Sequence, residues 1–214
     1  MEAGRESIDQ AGIPEPCPED RERAGVYSTL GVLLADVPGP ETLAWVADAA
    51  GGMPQEDPGA EGAEGAVGRA WRELARAAGE ADPEAVDEEY HDLFIGLGRG
   101  ELVPFASWYR SGLLLDKPLV LLRRDLEAMG IERQPGTTQP EDHAAALCEV
   151  MALLAGEGQP LDRQRDFFEE HLGPWLGRFF QDLQGADSAH FYRAVGRLGS
   201  AFIQVEQGYL RMPE

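Results

Sequence analysis

Lysine is all but missing. Lys117 is the single one in 214 residues, and 18 basic side chains face 39 acidic ones. The formal charge of −21 repels a phosphate backbone, because nucleic-acid affinity rests on Lys and Arg displacing counterions, so no nucleic-acid partner is expected. The same charge disfavours an anionic membrane surface and favours attraction of a cationic protein or peptide, or else serves solubility alone. Cysteine is scarce as well: Cys17 and Cys148 are far apart and form no CxxC, which excludes a disulfide framework and a thiolate metal site. Cys148 reads as a small apolar core residue.

Histidine is equally sparse. His91, His143, His171 and His190 make no HExxH or other spaced ligand set, whereas a catalytic zinc takes three protein ligands, so no metal is expected. No Ser or Cys sits in a nucleophile elbow, and no carboxylate pair has a context that would split its pKa values. No motif in the sequence asks for catalysis or for a cofactor. No run approaches the ~18 apolar residues of a membrane span. The opening MEAGRESIDQAGIPEPCPED has acids where a secretory signal has bases, and no apolar stretch follows. A cytoplasmic protein without stable membrane insertion is the expectation.

Period-two alternation over strand length is also missing, and no repeat of fixed period occurs. The expected fold is all-α, a single helical-bundle domain of about eight to ten helices over residues 21–214 behind a disordered arm at 1–20. Val26, Leu30, Leu33 and Leu34 give the first helix an apolar face. A second helix fits residues 40–50, and Val67, Trp71, Leu74 and Ala78 mark a third beyond the Gly/Pro-rich GGMPQEDPGAEG. Asp82 and Pro83 are an N-cap and N1 pair opening a helix with Val86, Tyr90, Leu93 and Phe94. The segment after Pro104 turns helical, Gly130 stops the helix of KPLVLLRRDLEAMG, and three more helices follow Pro160.

Three stretches stand out. GLGRG, residues 96–100, follows a helix rather than a strand and lacks Lys-Ser/Thr, so a flexible hinge is expected in preference to a phosphate cradle. QPEDHAAALCEVMALLA places Pro140, Glu141, Asp142 and His143 at the mouth of an apolar helix. Pro140 suits a first turn, and both acids favour the positive end of the helix dipole, which explains them as a well-made helix start. The functional alternative is an acidic, His-edged rim on an apolar groove for a peptide cationic at one end. LVPFASWYR, with Phe105, Trp108 and Tyr109 around an irregular Pro104, would supply the other wall.

Several separated strings together resemble one family. EEYHDLFIGLGRGELVPFASWYR, PEDHAAALCEVMALLA, and HLGPWLGRFF followed by HFYRAVGRLGSAF are similar, in order and spacing, to blocks of the TorD/DmsD/NarJ-type chaperones that mature molybdenum oxidoreductases. The resemblance runs over residues 25–207. It implies a cytoplasmic, non-enzymatic chaperone that binds the signal peptide or apo form of a molybdopterin-containing catalytic subunit and holds it for cofactor insertion before export or assembly. The partner implied is that apo subunit, through its twin-arginine leader; a chaperone for a non-exported subunit is the alternative. The matching positions are Leu93, Phe94 and Gly96, then Pro104, Ser107 and Tyr109, then Pro140, Asp142 and His143, with Tyr27 a looser match. Phe105 stands where many relatives have tryptophan and Ala106 where many have glycine. Glu141 or Asp142 would hold an arginine bidentately while Phe105, Trp108 and Tyr109 take the apolar part. Long helices and glycine-rich connections permit either a monomer or a domain-swapped dimer.

Overall fold

The computed structural model describes residues 16–49, 62–96, 99–133, 136 and 139–212. The expected arm up to residue 15, the loop 51–61, and parts of the glycine-rich stretch and of the loop before Gln139 lie outside them. Among the described residues the chain forms ten α-helices and no strand: α1 Pro18–Ala35, α2 Pro40–Ala49, α3 Ala63–Glu80, α4 Pro83–Tyr90, α5 Ala106–Ser111, α6 Lys117–Ala128, α7 Ala144–Gly156, α8 Leu161–His171, α9 Leu176–Gly185 and α10 Phe191–Tyr209. None is long and apolar enough to cross a membrane.

Local chemistry sets several boundaries. Cys17 caps α1, its sulfur accepting from Asp20 N, with Pro18 at the first helical position, so the helix begins inside the segment expected to be an arm. Asp82 caps α4 as its sequence predicts, accepting from Glu84 N. Beyond Tyr90 the helix widens into a π-helical turn, His91–Ile95. Of the GLGRG stretch expected to be a hinge, Gly96, Arg99 and Gly100 are described, and just beyond them the chain returns along the π-helical turn. Glu101 N donates to Asp92 O at 3.0 Å and Leu102 N to Leu93 O at 2.8 Å. A Cβ at Gly100 would stand 2.5 Å from Leu93 O, and Gly96 has φ +58°, so glycine is demanded by the return itself.

α1 and α7 run antiparallel at the centre. Gly156 of α7 faces Ala24, while a Cβ at Gly31 would lie 3.3 Å from Glu149 Cγ, so small residues let the two helices approach closely. Tyr27, Leu30, Leu33 and Leu34 of α1 and Leu147, Cys148, Met151 and Leu154 of α7 are all buried in one core. Val26 is only half-buried, so the α1 face is rotated from the expected stripe towards Tyr27. The reason is a polar one. Glu206, fully buried on α10, takes both forks of Arg23, Nε at 2.8 Å and Nη2 at 2.5 Å, together with the Tyr27 hydroxyl at 3.0 Å. α10 itself lies on α9 and α3, and Gly199 leaves the space that the Phe180 ring fills.

Glu89 fixes where α10 begins. Its carboxylate, 6% exposed, accepts from the backbone N–H groups of His190 at 2.8 Å, Phe191 at 2.9 Å and Tyr192 at 2.7 Å. One side chain thus satisfies three donors that no helix can satisfy for itself, and its charge meets the positive end of the helix dipole. Glu89→Ala is expected to lower the unfolding free energy by about 3 kcal/mol and Glu89→Gln by about half of that. Urea unfolding followed by circular dichroism measures both, and equal stability of the two variants would remove the charge from the account.

Candidate functional site

Two helices begin face to face. α5 opens at Ala106 and α7 at Ala144, and the first N–H groups of each have no partner within their own helix. The segments leading into them form an isolated antiparallel bridge between Phe105 and His143. Ala106 N donates to Asp142 O at 2.9 Å and Ala144 N to Pro104 O at 2.8 Å, so each helix's first N–H is taken by the segment preceding the other. Side chains take the second pair. Ser107 N donates to Asp142 Oδ2 at 2.9 Å, and Ala145 N donates to His143 Nδ1 at 3.1 Å. Phe105 and His143 meet ring edge to ring face with centroids 4.9 Å apart.

This arrangement alters the expected helix start. Pro140 does not open α7; residues 140–142 form a turn closed by His143 N on Pro140 O, and the helix begins four residues after Pro140. Asp142 O is drawn to Ala106 instead of entering its own helix. The Asp142 carboxylate accordingly caps α5, while His143 caps α7. Both lie inside, at 1% and 2% exposure, so neither forms an open rim. Ser107 Oγ and Asp142 Oδ1 are buried there without a hydrogen-bond partner among the described residues. Each unmade bond costs about 1–3 kcal/mol, and the pair leaves the seam able to take one further polar group.

The remaining residues singled out by sequence divide by exposure. Pro104, Leu93 and Tyr27 are buried; Leu93 lies in the core and Tyr27 is committed to Glu206 and, edge-on at 4.7 Å, to Phe202 of α10. Phe94, Phe105, Trp108, Tyr109, Pro140 and Glu141 are half-buried. Phe94 packs on Tyr90 at 5.0 Å and Tyr192 at 5.3 Å. Tyr109 packs against Trp175 at 5.3 Å and donates to Asp182 at 3.0 Å; burial, then the Asp182 charge, push its pKa up. Glu141 accepts two bonds from Arg123, at 2.8 and 3.0 Å, and lies 3.6 Å from Arg133. Burial works against ionisation here, but Arg123 holds the Glu141 carboxyl below its usual range.

Sequence reasoning passed over three partners. The Arg99 guanidinium lies over the Trp108 ring at 4.9 Å, Asp182 anchors Tyr109, and Arg123 occupies the carboxylate that a ligand arginine would seek. Arg99 is the lone charge in a glycine loop beside an aromatic segment, which is a legible signal. Asp182 and Arg123 lie on ordinary helix faces, and only folding brings them near.

His143 accepts a hydrogen bond through Nδ1, which requires the neutral ring with its proton on Nε2, and burial pushes its pKa down to about 4. The unfolded chain takes up that proton near pH 6.5. Stability is therefore fully present above pH 6.5 and falls as pH drops towards 4, by about 3 kcal/mol from this group. His171, also lowered by burial, adds to the same slope, whereas exposed His91 shifts the other way. His143→Asn, which keeps a cap acceptor, is expected to flatten but not abolish the fall between pH 7 and pH 4.5 in urea midpoints; an unchanged slope would refute the assignment.

Comparison with known proteins agrees with the resemblance of the separated blocks. The TorD chaperone of Vibrio cholerae is 32% identical over 130 residues, 56% of this chain and 59% of its own. The Tat proofreading chaperone DmsD of Salmonella typhi is 29% identical over 132 residues, 61% of this chain and 64% of its own. The chain thus matches less than two thirds of the length of these relatives. A crystal structure from Archaeoglobus fulgidus, assigned to a redox enzyme maturation protein, superposes with a TM-score of 0.56 over 94% of this chain and 99% of the other, at 19% identity, and so speaks to the fold. The family model described as nitrate reductase delta subunit matches residues 60–181, the span that holds both halves of the bridge. The chain belongs to that family, the TorD/DmsD/NarJ-type maturation chaperones.

Proposed function

We propose that the protein is a non-enzymatic maturation chaperone for the catalytic subunit of a molybdenum oxidoreductase, and that it holds the apo subunit by its leader peptide. The observation that carries this is the bridge, because it brings the block around Pro104, Ser107 and Tyr109 together with the block around Pro140, Asp142 and His143. In this reading the buried members, Ser107, Asp142 and His143, position the seam. The half-buried members, Phe105, Trp108, Tyr109, Pro140 and Glu141, meet the peptide. An arginine of the leader displaces Arg123, whose Nε and Nη2 both bond one oxygen of the half-buried Glu141 carboxylate, so that one charge-assisted pair is exchanged for another. The aromatic surface then takes the apolar stretch that follows. A strongly acidic chain attracts such a cationic segment from a distance.

A second reading has one observation in its favour: the family model takes its description from a nitrate reductase subunit. On that reading the client stays inside the cell and is recognised by a terminus without two arginines.

Titration calorimetry with the client's leader peptide tests the proposal. Trp108→Ala is expected to weaken binding about 30-fold, the ~2 kcal/mol of an interface hot spot. Replacing the leader's Arg-Arg by Lys-Lys is expected to weaken binding, because a lysine pair cannot repeat the bidentate contact; unchanged affinity would favour recognition without the arginines. Wild-type affinity in both Trp108→Ala and Glu141→Gln would remove this surface from the function.

A further inference from the structure

Two of the residues assigned above to peptide contact are already covered by guanidinium groups of the chain itself. At Glu141 the occupant is Arg123, whose Nε and Nη2 lie 3.0 and 2.8 Å from one carboxylate oxygen. At Trp108 it is Arg99, with its guanidinium carbon 4.9 Å from the centre of the ring. Both arginines are exposed, and both of the residues they cover are half-buried. The bridge is antiparallel, so the chain leading on from Phe105 to Trp108 and the chain leading back from His143 to Glu141 leave it on the same side. The bonds of Ala106 N and Ser107 N to Asp142 follow that course.

Trp108 is not held as its neighbours are. Tyr109 packs on Trp175 and Phe179 and donates to Asp182, and Phe105 meets His143. Trp108 takes no part in the core packing, and the cover over its ring is Arg99. Arg99 is set apart in turn. Arg23, Arg110 and Arg197 each rest on a carboxylate, in a chain with 39 acids to choose from. Among the described residues Arg99 pairs with no acid and lies on an aromatic face instead, a contact that suits a planar, weakly hydrated guanidinium better than an ammonium.

Either side chain can leave without disturbing the fold. The backbone around Arg99 is tied by Glu101 N on Asp92 O and Leu102 N on Leu93 O, and a Cβ at Gly96 would collide with Arg99 O. Arg123 is carried on α6, whose Leu122 and Leu126 anchor it in the core. Each guanidinium is thus a mobile group on a fixed stem, lying on a surface that a second guanidinium from solution can take over.

We propose that Arg99 and Arg123 are internal occupants of two guanidinium subsites, the Trp108 face and the Glu141 carboxylate, and that a peptide binds by supplying two arginines in their place, which rests on the leader-peptide reading above and adds a second arginine subsite to it. An incoming guanidinium restores the contact that it breaks. A lysine restores neither the stacking on Trp108 nor the paired donation to Glu141, so self-occupation sharpens selection for arginine. It also lowers affinity, because each subsite is open for only a fraction of the time.

Titration calorimetry of the full chain at physiological salt, with a synthetic peptide of an Arg-Arg pair followed by an apolar stretch, tests this. Arg99→Ala and Arg123→Ala are each expected to tighten binding about two- to fivefold, the opposite sign to Trp108→Ala. In the Trp108→Ala background, Arg99→Ala is expected to have no effect. Arg76→Ala removes the same charge from an exposed pair on α3 and is expected to change affinity by less than about twofold. Unchanged or weaker binding in both Arg99→Ala and Arg123→Ala, in a chain whose affinity does fall on Trp108→Ala, overturns the internal occupants and leaves the peptide surface in place. Equal tightening by Arg76→Ala overturns them too, by assigning the gain to net charge. Absence of binding by both the wild type and the double arginine variant, or wild-type affinity in both Trp108→Ala and Glu141→Gln, removes the leader-peptide reading and the two subsites with it.

Discussion

Two helix starts that satisfy one another hold together the part of this molecule on which its function is argued. α5 and α7 each begin with N–H groups that a helix cannot pair by itself, and each is completed by the segment that leads into the other. Asp142 contributes twice, with its carbonyl oxygen to Ala106 and its carboxylate to Ser107, so the first turn of α5 depends on a residue 35 positions away in sequence. His143 plays the matching part for α7 and must stay neutral to do so. Remove the bridge and α5, only six residues long, loses the partners of its first turn and keeps only side-chain anchors such as Tyr109 on Asp182 and Arg110 on Glu170.

That dependence changes what the acidic motif does. A carboxylate that caps a helix from inside cannot also form an open anionic rim, and the acid left at the surface, Glu141, is already neutralised by Arg123. Recognition of a cationic segment therefore proceeds by exchange of partners at Glu141, beside aromatic surface from Phe105, Trp108 and Tyr109. Ser107 Oγ and Asp142 Oδ1 are buried in the same seam, without a partner among the described residues. Elsewhere buried carboxylates work in the same manner. Glu89 assembles the start of α10, and Glu206 near its other end ties that helix to α1 through Arg23 and Tyr27. In a chain with so many acids, the ones that matter to the fold are the few taken inside and given donors.

Much of the helical frame was legible because its causes are local. Asp82 before Pro83, Gly130 after α6, and the apolar stripes of α4, α7 and α10 all act within a few residues of themselves. The errors arose where a distant partner competed. Pro140 and the two acids have every local feature of a helix start, yet the helix waits until Ala144 because Ala106 and Ser107 claim Asp142. Tyr27 displaces Val26 from the core face because Glu206, nearly 180 residues on, offers its hydroxyl an acceptor. Gly96 and Gly100, in the stretch read as a hinge, are demanded by a close return in which a Cβ at Gly100 would meet Leu93 O.

By itself the sequence determined the helical class, most helix boundaries, and through three ordered blocks the family to which the chain belongs. Periodicity, capping and block order are written in neighbouring residues and survive without coordinates. Only the tertiary structure decided which motif residues face inward and which meet solvent. It also left three consecutive leucines, Leu113, Leu114 and Leu115, at the surface. Exposure and pairing depend on what a second, remote segment brings to the contact, and no local pattern carries that information.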